Sequence, residues 1–454
     1  MGIVNAAKKD AGCCRTRFSH RPPLTRFSQP SQWRLGSRAE HPDGLQQENA
    51  LSMLKPSDSR LRPVYKRPAM RVITSTSALS ETCSRLAAGD YVAVDTEFMR
   101  EQTFWPDLCL IQLAGPDEEV IVDPLAEGID LEPFYKLMAD QSVVKVFHAA
   151  RQDVEIVFSE AGLIPTPIFD TQIAAMVCGF GESVSYVNLV KKVTGRDLDK
   201  SSRFTDWSRR PLSEKQLVYA IGDVTHLRDI YTHLKIELET TGRASWLDEE
   251  MAELTAPSTY ESHPENAWQR LKMRVKNRKA LAVLIELAAW RERQAQAQDV
   301  PRGRILRDEA LYDIANQQPT APEKLSELRT LSDGFSRSQR AKDIIDAVKR
   351  GLERDPKTVP ALPHNQPMSA EATATIELLK VLLKASAARH RVAPRLIADS
   401  EDLERIASEA EPDVPALKGW RRQLFGEDAL KLKRGELALT LAKGEVLALS
   451  LPNS

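Results

Sequence analysis

The pattern of apolar residues changes once along the chain, and this change limits the folds that the sequence can adopt. Between Tyr91 and Asp170, short apolar or β-branched runs are separated by polar breaks and helical stretches, a pattern typical of strands and helices in one domain. After about residue 264 the strand-like runs end and helical patterns take over. The sequence therefore predicts an α/β domain followed by helical domains.

Five runs in the first region are predicted strands. They are Tyr91–Asp95, Cys109–Ala114, Val120–Asp123, Val143–Phe147 and Ile168–Asp170. The first three follow one another closely and the later two alternate with helices, so we expect a mixed sheet with helices on its faces. Further helices are predicted over Val187–Val193 and Glu214–Leu238.

Two similar helical segments follow in the second half of the chain. Ala280–Arg293 and Thr375–Ala388 are predicted amphipathic helices, and DEALYDIA at 308–315 resembles SEDLERIA at 400–407, 92 residues later. An internal duplication of a small all-α domain is the natural interpretation. We expect domains at 70–250, 265–354 and 368–454, with the proline-rich residues 355–367 as a semi-stiff linker.

Residues 1–69 differ from the rest, with 13 Lys and Arg against five Asp and Glu. Without a sustained apolar period this segment is not expected to pack a core. Three interpretations remain open: a disordered basic arm, an organelle transit peptide, or an over-extended gene start with Met70 as the true first residue.

The formal net charge of −1 taken alone argues against a strongly basic nucleic-acid binder. It is, however, a sum of +8 for residues 1–69, −15 for 70–264 and +5 for 265–355, with the remainder near zero. No run of about 18 apolar residues predicts a membrane span. The five cysteines form no CxxC pair, which favours a reducing compartment, and we expect the cytoplasm.

Four acids and a tyrosine are unusually placed for a structural domain. Asp95 and Glu97 end an apolar strand, where the period of two puts both side chains on one face. Asp153 falls in the first turns of a helix, and Tyr219 and Asp223 are neighbours one helical turn apart. If the four acids converge, their oxygen atoms suit Mg²⁺ or Mn²⁺. Two such ions would support attack of water on a phosphodiester, with Tyr219 orienting the water.

Other chemistries lack their motifs. Gly179 and Gly181 have no third glycine at the dinucleotide spacing, and neither GxxxxGK[ST] nor HExxH occurs, so we expect no nucleotide cofactor and no zinc. Taken singly, the acids also have structural interpretations: we assign Asp170 as a helix N-cap and Asp123 as a turn residue.

The motifs VDTEF, HAARQD and YAIGD, in this order, resemble the three exonuclease motifs of the DEDDy 3′–5′ exonucleases, which have a ribonuclease H-like fold. Within that superfamily the chain is most similar to bacterial ribonuclease D, and LIQL at 110–113, FDTQ at 169–172 and KSSRFTDWSRRPL at 200–212 also match that family. The helical segments resemble HRDC domains, the first more clearly than the second.

The resemblance implies that Asp95, Glu97, Asp153 and Asp223 hold two divalent cations and that Tyr219 completes the catalytic set. It implies release of nucleoside 5′-monophosphates from RNA 3′ ends, typically of tRNA precursors and other structured RNA, by a monomer. We further expect RNA contacts from the loop KSSRFTDWSRRPL at 200–212 and from the first helical domain. The alternative that the sequence leaves open for this loop is a folded segment in which Trp207 fills the core and the arginines are solvated. The candidates are Arg203, Trp207, Arg209, Arg210, Lys272 and Lys276. The alternatives are a DNA exonuclease and a non-catalytic RNA-binding adaptor.

Overall fold

The computed structural model describes residues 71–199, 205–272, 274–332, 334–362 and 368–451. These residues belong to one compact unit that begins at Arg67. The predicted basic extension at residues 1–69 lies outside the described residues, as do Arg203 and residues 363–367 of the predicted linker.

Six strands of the described chain form one mixed sheet in the order β1-β4-β3-β2-β5-β6. Their bounds are β1 Val72–Ile73, β2 Tyr91–Met99, β3 Asp107–Ala114, β4 Glu119–Val122, β5 Val144–Phe147 and β6 Ile168–Asp170. Strands β2, β3 and β4 are antiparallel neighbours, whereas β5 and β6 run parallel to β2. The predicted mixed sheet is confirmed. The two-residue strand β1 was not predicted because it is too short to show a period.

Helices cover both faces of this sheet. They are α1 Thr76–Leu86, α2 Glu132–Ala139, α3 Arg151–Ala161, α4 Thr171–Val177, α5 Tyr186–Thr194, α6 Glu214–Thr240 and α7 Asp248–Leu254. Helices α1, α2 and α3 pack on the face that carries Val94 and Ile111. Helix α6 packs on the other face, where the small side chains of Ala93, Ala114 and Ala220 let it lie close to the strands.

The first helical module follows the sheet domain. Its helices are α8 Arg278–Gln298, α9 Arg302–Ile305, α10 Asp308–Gln317, α11 Pro322–Leu325 and α12 Gln339–Glu353. Helix α8 was predicted to be amphipathic, but it is buried around most of its circumference. Helices α10 and α12 and the preceding segment Pro264–Arg270 surround it. It is the central helix of the module.

The second helical module comprises α13 Ala370–His390, α14 Pro394–Ile397, α15 Ser400–Ser408, α16 Gly419–Arg421 and α17 Glu427–Lys433. A π-helical segment, Arg422–Gly426, joins α16 to α17. The module departs from the all-α prediction in one respect. It ends in an antiparallel hairpin of β7 Leu437–Ala442 and β8 Glu445–Ser450, whose strands meet at Lys443 and Gly444 in positive φ.

The two modules begin with the same spacing of elements. Helices α8 and α13 each have 21 residues, and α13 and α14 start 92 residues after α8 and α9. The residue that ends each long helix is left-handed, Asp299 with φ 49° and Arg391 with φ 53°. This regularity supports the internal duplication, which stays a prediction together with the domain boundaries.

The left-handed corner of each module contacts the sheet domain. At the first corner, the Asp299 carboxylate accepts hydrogen bonds from the backbone N–H groups of Phe104 and Trp105, both at 3.1 Å. At the second corner, the backbone N–H of Ala393 donates to Met176 O at 2.9 Å. Residues 355–367 were predicted to be a linker between the modules. Within this segment, Val359 is buried in the core of the first module.

Replacing Asp299 by alanine is expected to destabilise the junction with the first module. The change leaves two backbone donors unpaired and puts alanine in the left-handed region, so we expect a loss of about 1–3 kcal/mol in the free energy of unfolding. Urea unfolding measures the effect. Asp299→Asn, which keeps an acceptor and tolerates this conformation, should lose less, and the exposed Asp346→Ala should lose nothing. Equal stability of Asp299→Ala and the unchanged protein would contradict this role.

Candidate active site

Three of the predicted acids meet where β2 passes under α6. Asp95 and Glu97 lie on β2 and Asp223 lies on α6, and one oxygen of each carboxylate lies within 4.8 Å of the others. The alternation of β2 turns Asp95 and Glu97 toward α6, as predicted. Asp223 reaches them because the helix crosses the sheet over this strand.

The carboxyl-terminal part of β2, which carries the acids, is paired differently from its beginning. Strand β5 pairs with β2 only over Tyr91–Ala93, so the half of β2 that carries the acids has no parallel neighbour on that side. On the other side the register with β3 shifts between Glu97 and Phe98. Such a bulge bends a strand and re-aims its side chains. The acids therefore lie on the part of β2 that extends beyond its pairing with β5.

Asp153 approaches the same place from the opposite face. It lies in the first turn of α3, is 7% exposed, and accepts a hydrogen bond of 2.6 Å from the hydroxyl of Thr96. Thr96 stands between the two acids of β2 and points to the other face of the sheet. Asp153 therefore lies across β2 from the other three acids and outside their group of adjacent oxygens, although its charge raises the pKa of Asp95. Thr96 sets the orientation of its carboxylate.

The cluster is electrostatically unfavourable without a cation. Burial, and then the charges of Asp223 and Asp153, raise the pKa of the Asp95 carboxyl well above its usual range. Burial also raises the pKa of Asp153 from 3.8 to about 7. Because each negative charge disfavours the next, a divalent cation bound by these oxygens would relieve the repulsion. The donors are all carboxylate oxygens, which suit Mg²⁺ or Mn²⁺ and not zinc.

Tyr219 lies one turn before Asp223 on α6 and is half-buried. Its ring lies 6.0 Å from the ring of Trp207, centroid to centroid. Trp207 is only 2% exposed and packs with Leu110 and Ile121. Of the two interpretations of Trp207, the structure therefore supports the core position and not base stacking, because the ring packs inside the protein beside Tyr219.

Arg210 is also a structural residue here, contrary to the predicted phosphate contact. Its guanidinium forms a two-pronged ion pair with Asp123, with both contacts at 2.7 Å, and donates to the carbonyl oxygens of Trp207 and Cys109. Asp123 in turn accepts from the backbone N–H of Leu125, which confirms it as a turn residue. Arg210 thereby anchors the loop before α6.

Asp170 does more than the predicted N-cap. Its carboxylate accepts from the backbone N–H of Gln172, which confirms the cap of α4, and also from those of Ala149 and Ala150. These last two residues lead into α3, and Ala149 is in the left-handed region with φ 60°. Asp170 therefore holds the start of the helix that carries Asp153. The sequence around Asp170 predicts only the cap of α4 and contains no signal for the hydrogen bonds from Ala149 and Ala150.

Two aromatic residues near the acids were not predicted. The Tyr186 hydroxyl donates to Gly222 O at 2.9 Å, next to Asp223, and its ring packs edge-on against His148 at 5.4 Å. Burial and the charges of Asp223 and Asp95 raise the pKa of Tyr186. In the sequence, Tyr186 is recognisable only as a residue of the first turn of α5. Its hydrogen bond to Gly222 could therefore not be predicted.

The remaining predicted RNA contacts lie at the surface. The Arg209 side chain is 83% exposed and pairs with Asp206. Lys272 and Lys276 of the first module are exposed. Other members of that cationic run have structural partners: Arg270 pairs with Glu292 and Arg278 donates to Val359 O. Arg209, Lys272 and Lys276 stay predictions as RNA contacts.

The raised pKa of Asp153 predicts a pH-dependent stability of the metal-free protein. A carboxyl that binds its proton more tightly when folded loses stabilising free energy as the pH rises from about 4 to about 7, by at most about 1.4 kcal/mol per pH unit. Asp153→Asn should remove this loss. Urea unfolding in EDTA at pH 5 and pH 8 measures it: the variant should gain stability relative to the unchanged protein at pH 8. The same difference at both pH values would contradict the raised pKa.

Comparison with known proteins identifies the families to which this chain is similar. The model of the 3′–5′ exonuclease family matches residues 70–239, and that of the HRDC domain matches residues 280–348. Ribonuclease D of Nitrobacter hamburgensis is 56% identical over 380 residues, which cover 83% of this chain and 99% of the relative. Ribonuclease D of Bartonella henselae is 49% identical over 378 residues, which cover 83% of this chain and 93% of the relative.

A solved structure extends the similarity to the fold. The crystal structure of Escherichia coli RNase D, described as an exoribonuclease involved in structured RNA processing, matches with a TM-score of 0.70 and 28% identity. The match covers 81% of this chain and 99% of that one. In the part of the chain that the structure describes, no helix is long and apolar enough to cross a membrane. The chain belongs to the ribonuclease D family of 3′–5′ exoribonucleases.

Proposed function

We propose that this exoribonuclease removes nucleoside 5′-monophosphates one at a time from RNA 3′ ends by a two-metal mechanism. The observation that carries the proposal is the convergence of Asp95, Glu97 and Asp223, with one oxygen of each within 4.8 Å of the others. Such a cluster of half-buried like charges lowers the stability of a protein that binds no cation. It suits a site whose task is to concentrate divalent cations beside a phosphodiester.

We assign two Mg²⁺ or Mn²⁺ ions to Asp95, Glu97, Asp153 and Asp223. Three of these side chains supply adjacent oxygens, and Asp153 lies beside them with Thr96 fixing its carboxylate. When bound, the ions would activate a water molecule and stabilise the leaving oxygen of the phosphodiester.

The protein residues have separate tasks in this proposal. Tyr219 orients the attacking water through its hydroxyl and relays to solvent the proton that the water loses, with Trp207 fixing the position of its ring. Asp170 holds the backbone that leads into the helix of Asp153. The Thr96 hydroxyl donates to the Asp153 carboxylate. Because these supporting contacts are already formed in the protein, little reorganisation is needed when the substrate binds.

We further propose tRNA precursors and other structured RNAs as substrates. Escherichia coli RNase D is described as acting in structured RNA processing, and the first helical module presents exposed Lys272 and Lys276. The −15 charge of residues 70–264 means that the catalytic domain attracts RNA weakly without cations. Arg209 and the first module would therefore hold the RNA body through its phosphates.

We assign the enzyme to the cytoplasm as a monomer. The cysteines within the described ranges, Cys83, Cys109 and Cys178, are free and buried, which suits a reducing compartment. Cell fractionation and sedimentation velocity test these two assignments.

Replacing Asp223 by asparagine is expected to abolish metal-dependent nucleotide release. The amide loses the charge that binds the cation, and a catalytic metal contributes several kcal/mol to the barrier, so the rate should fall at least about 100-fold. The assay follows a 3′-extended tRNA precursor with and without EDTA and identifies the products.

Asp229→Asn, an exposed acid on the same helix, serves as the control and should keep full activity. An active Asp223→Asn variant would contradict the mechanism. Equal or faster cleavage of a matched DNA oligonucleotide would favour a DNA exonuclease. RNA binding by the unchanged protein without any metal-dependent cleavage would favour a non-catalytic adaptor.

Replacing Tyr219 by phenylalanine is expected to lower kcat by about 100-fold, near the lower end of the range for a group that moves a proton. RNA affinity should change little, because the ring still packs on Trp207. Single-turnover kinetics and equilibrium binding in EDTA separate the two effects. Tyr135→Phe, on a helix of the opposite face, is the control. An unchanged rate for Tyr219→Phe would remove Tyr219 from the mechanism.

A further inference from the structure

Gln112 is a fully buried polar side chain in the centre of β3. It has 0% exposure, and within the described part of the chain neither its Oε1 nor its Nε2 has a hydrogen-bond partner. A buried amide without partners costs free energy, and an apolar residue of the same size would pack there without that cost. The position therefore calls for an explanation other than packing.

The sheet register places Gln112 directly beside the acid cluster. It is the cross-strand partner of Asp95 on β2 and of Ile121 on β4. Partners in antiparallel strands share one face, with Cβ atoms about 4.5–5.5 Å apart. Gln112 and Asp95 therefore point to the same side of the sheet, toward α6.

The side chains that flank Gln112 along β3 and those that cover it from α6 are apolar. Trp207, whose indole N–H has no hydrogen-bond partner among the described residues, packs in the same layer. Along β3 it lies between Leu110 and Ala114, and Ala220 and Val224 of α6 cover these positions. In this layer Asp95 is the polar side chain that the strand register sets against Gln112. An amide in such surroundings has a carboxylate as its natural partner.

We propose that Gln112 is a positioning residue, whose side-chain N–H donates to the Asp95 carboxylate when the cation site is filled. This inference rests on the proposed metal site. The hydrogen bond would hold one oxygen of Asp95 and leave the other directed at the cation. Partners of this kind beyond the metal ligands orient the ligands and tune metal affinity.

The choice of an amide follows from the charges around it. Asp95 already faces Asp223 and Glu97, so a further acid at position 112 would add to the repulsion. A lysine or arginine would neutralise the cluster and compete with the cation. A neutral donor supports the ionised carboxylate without doing either. This also gives a physical role to the LIQL segment, which the catalytic acids alone leave unexplained.

Gln112→Met tests the proposal, because methionine has a similar length and volume but no N–H. We expect its affinity for Mn²⁺, measured by electron paramagnetic resonance without RNA, to fall about 10-fold or more. The kcat should fall with it, while KM for an RNA oligonucleotide stays the same. The thermal midpoint in EDTA should stay equal or rise, since an unpaired amide is removed.

Leu113→Met is the matched control, because it changes the same strand on the opposite face of the sheet. It should leave Mn²⁺ affinity unchanged. Gln112→Leu provides a second apolar variant with the same expected loss, should Gln112→Met fail to fold. Unchanged Mn²⁺ affinity in a folded Gln112 variant overturns the inference and leaves the metal site intact. Absence of Mn²⁺ binding by the unchanged protein overturns both.

Discussion

Electrostatic repulsion among Asp95, Glu97 and Asp223 is the constraint on which the rest of the site depends. Three carboxylates with oxygens within 4.8 Å of one another do not remain ionised together at low cost. Burial, and then the charges of Asp223 and Asp153, raise the pKa of Asp95 well above its usual range. The fold holds them in place by other means: small residues bring α6 onto the sheet, and Asp170 anchors the start of α3. We propose that cations bound by these carboxylates offset this repulsion.

Much of this arrangement was predictable from local pattern. The period of two placed Asp95 and Glu97 on one face, and the helical period placed Tyr219 beside Asp223. The mixed sheet followed from short apolar runs that first cluster and then alternate with helices. These predictions succeeded because each depends on residues that are near one another in sequence.

The features that the sequence did not predict depend mostly on contacts between residues that are far apart in the chain. Arg210 was expected to contact phosphate, but it pairs with Asp123, which is 87 residues away. For Trp207 the sequence left base stacking and a core position open, and the structure has it in the core. The second contact of Asp170, the support from Tyr186 and the burial of α8 likewise depend on tertiary neighbours. The closing hairpin of the second module was missed although its sequence shows it: the alternating runs LALTLA and EVLALS are separated by Lys443 and Gly444, as in a two-residue β-turn. The net charge of −1 misled in the same way, since it averages an acidic catalytic domain with a basic module.

The most direct test of this account is the position of Mn²⁺ in crystals of the protein. Anomalous scattering would locate the ions independently of any activity. We predict two sites about 3.5–4 Å apart, in bonding contact with oxygens of Asp95, Glu97 and Asp223, with Asp153 at the edge of the pair. An empty cluster at saturating Mn²⁺, or an ion bound only elsewhere on the chain, would contradict the claim that these acids form a metal-dependent catalytic centre.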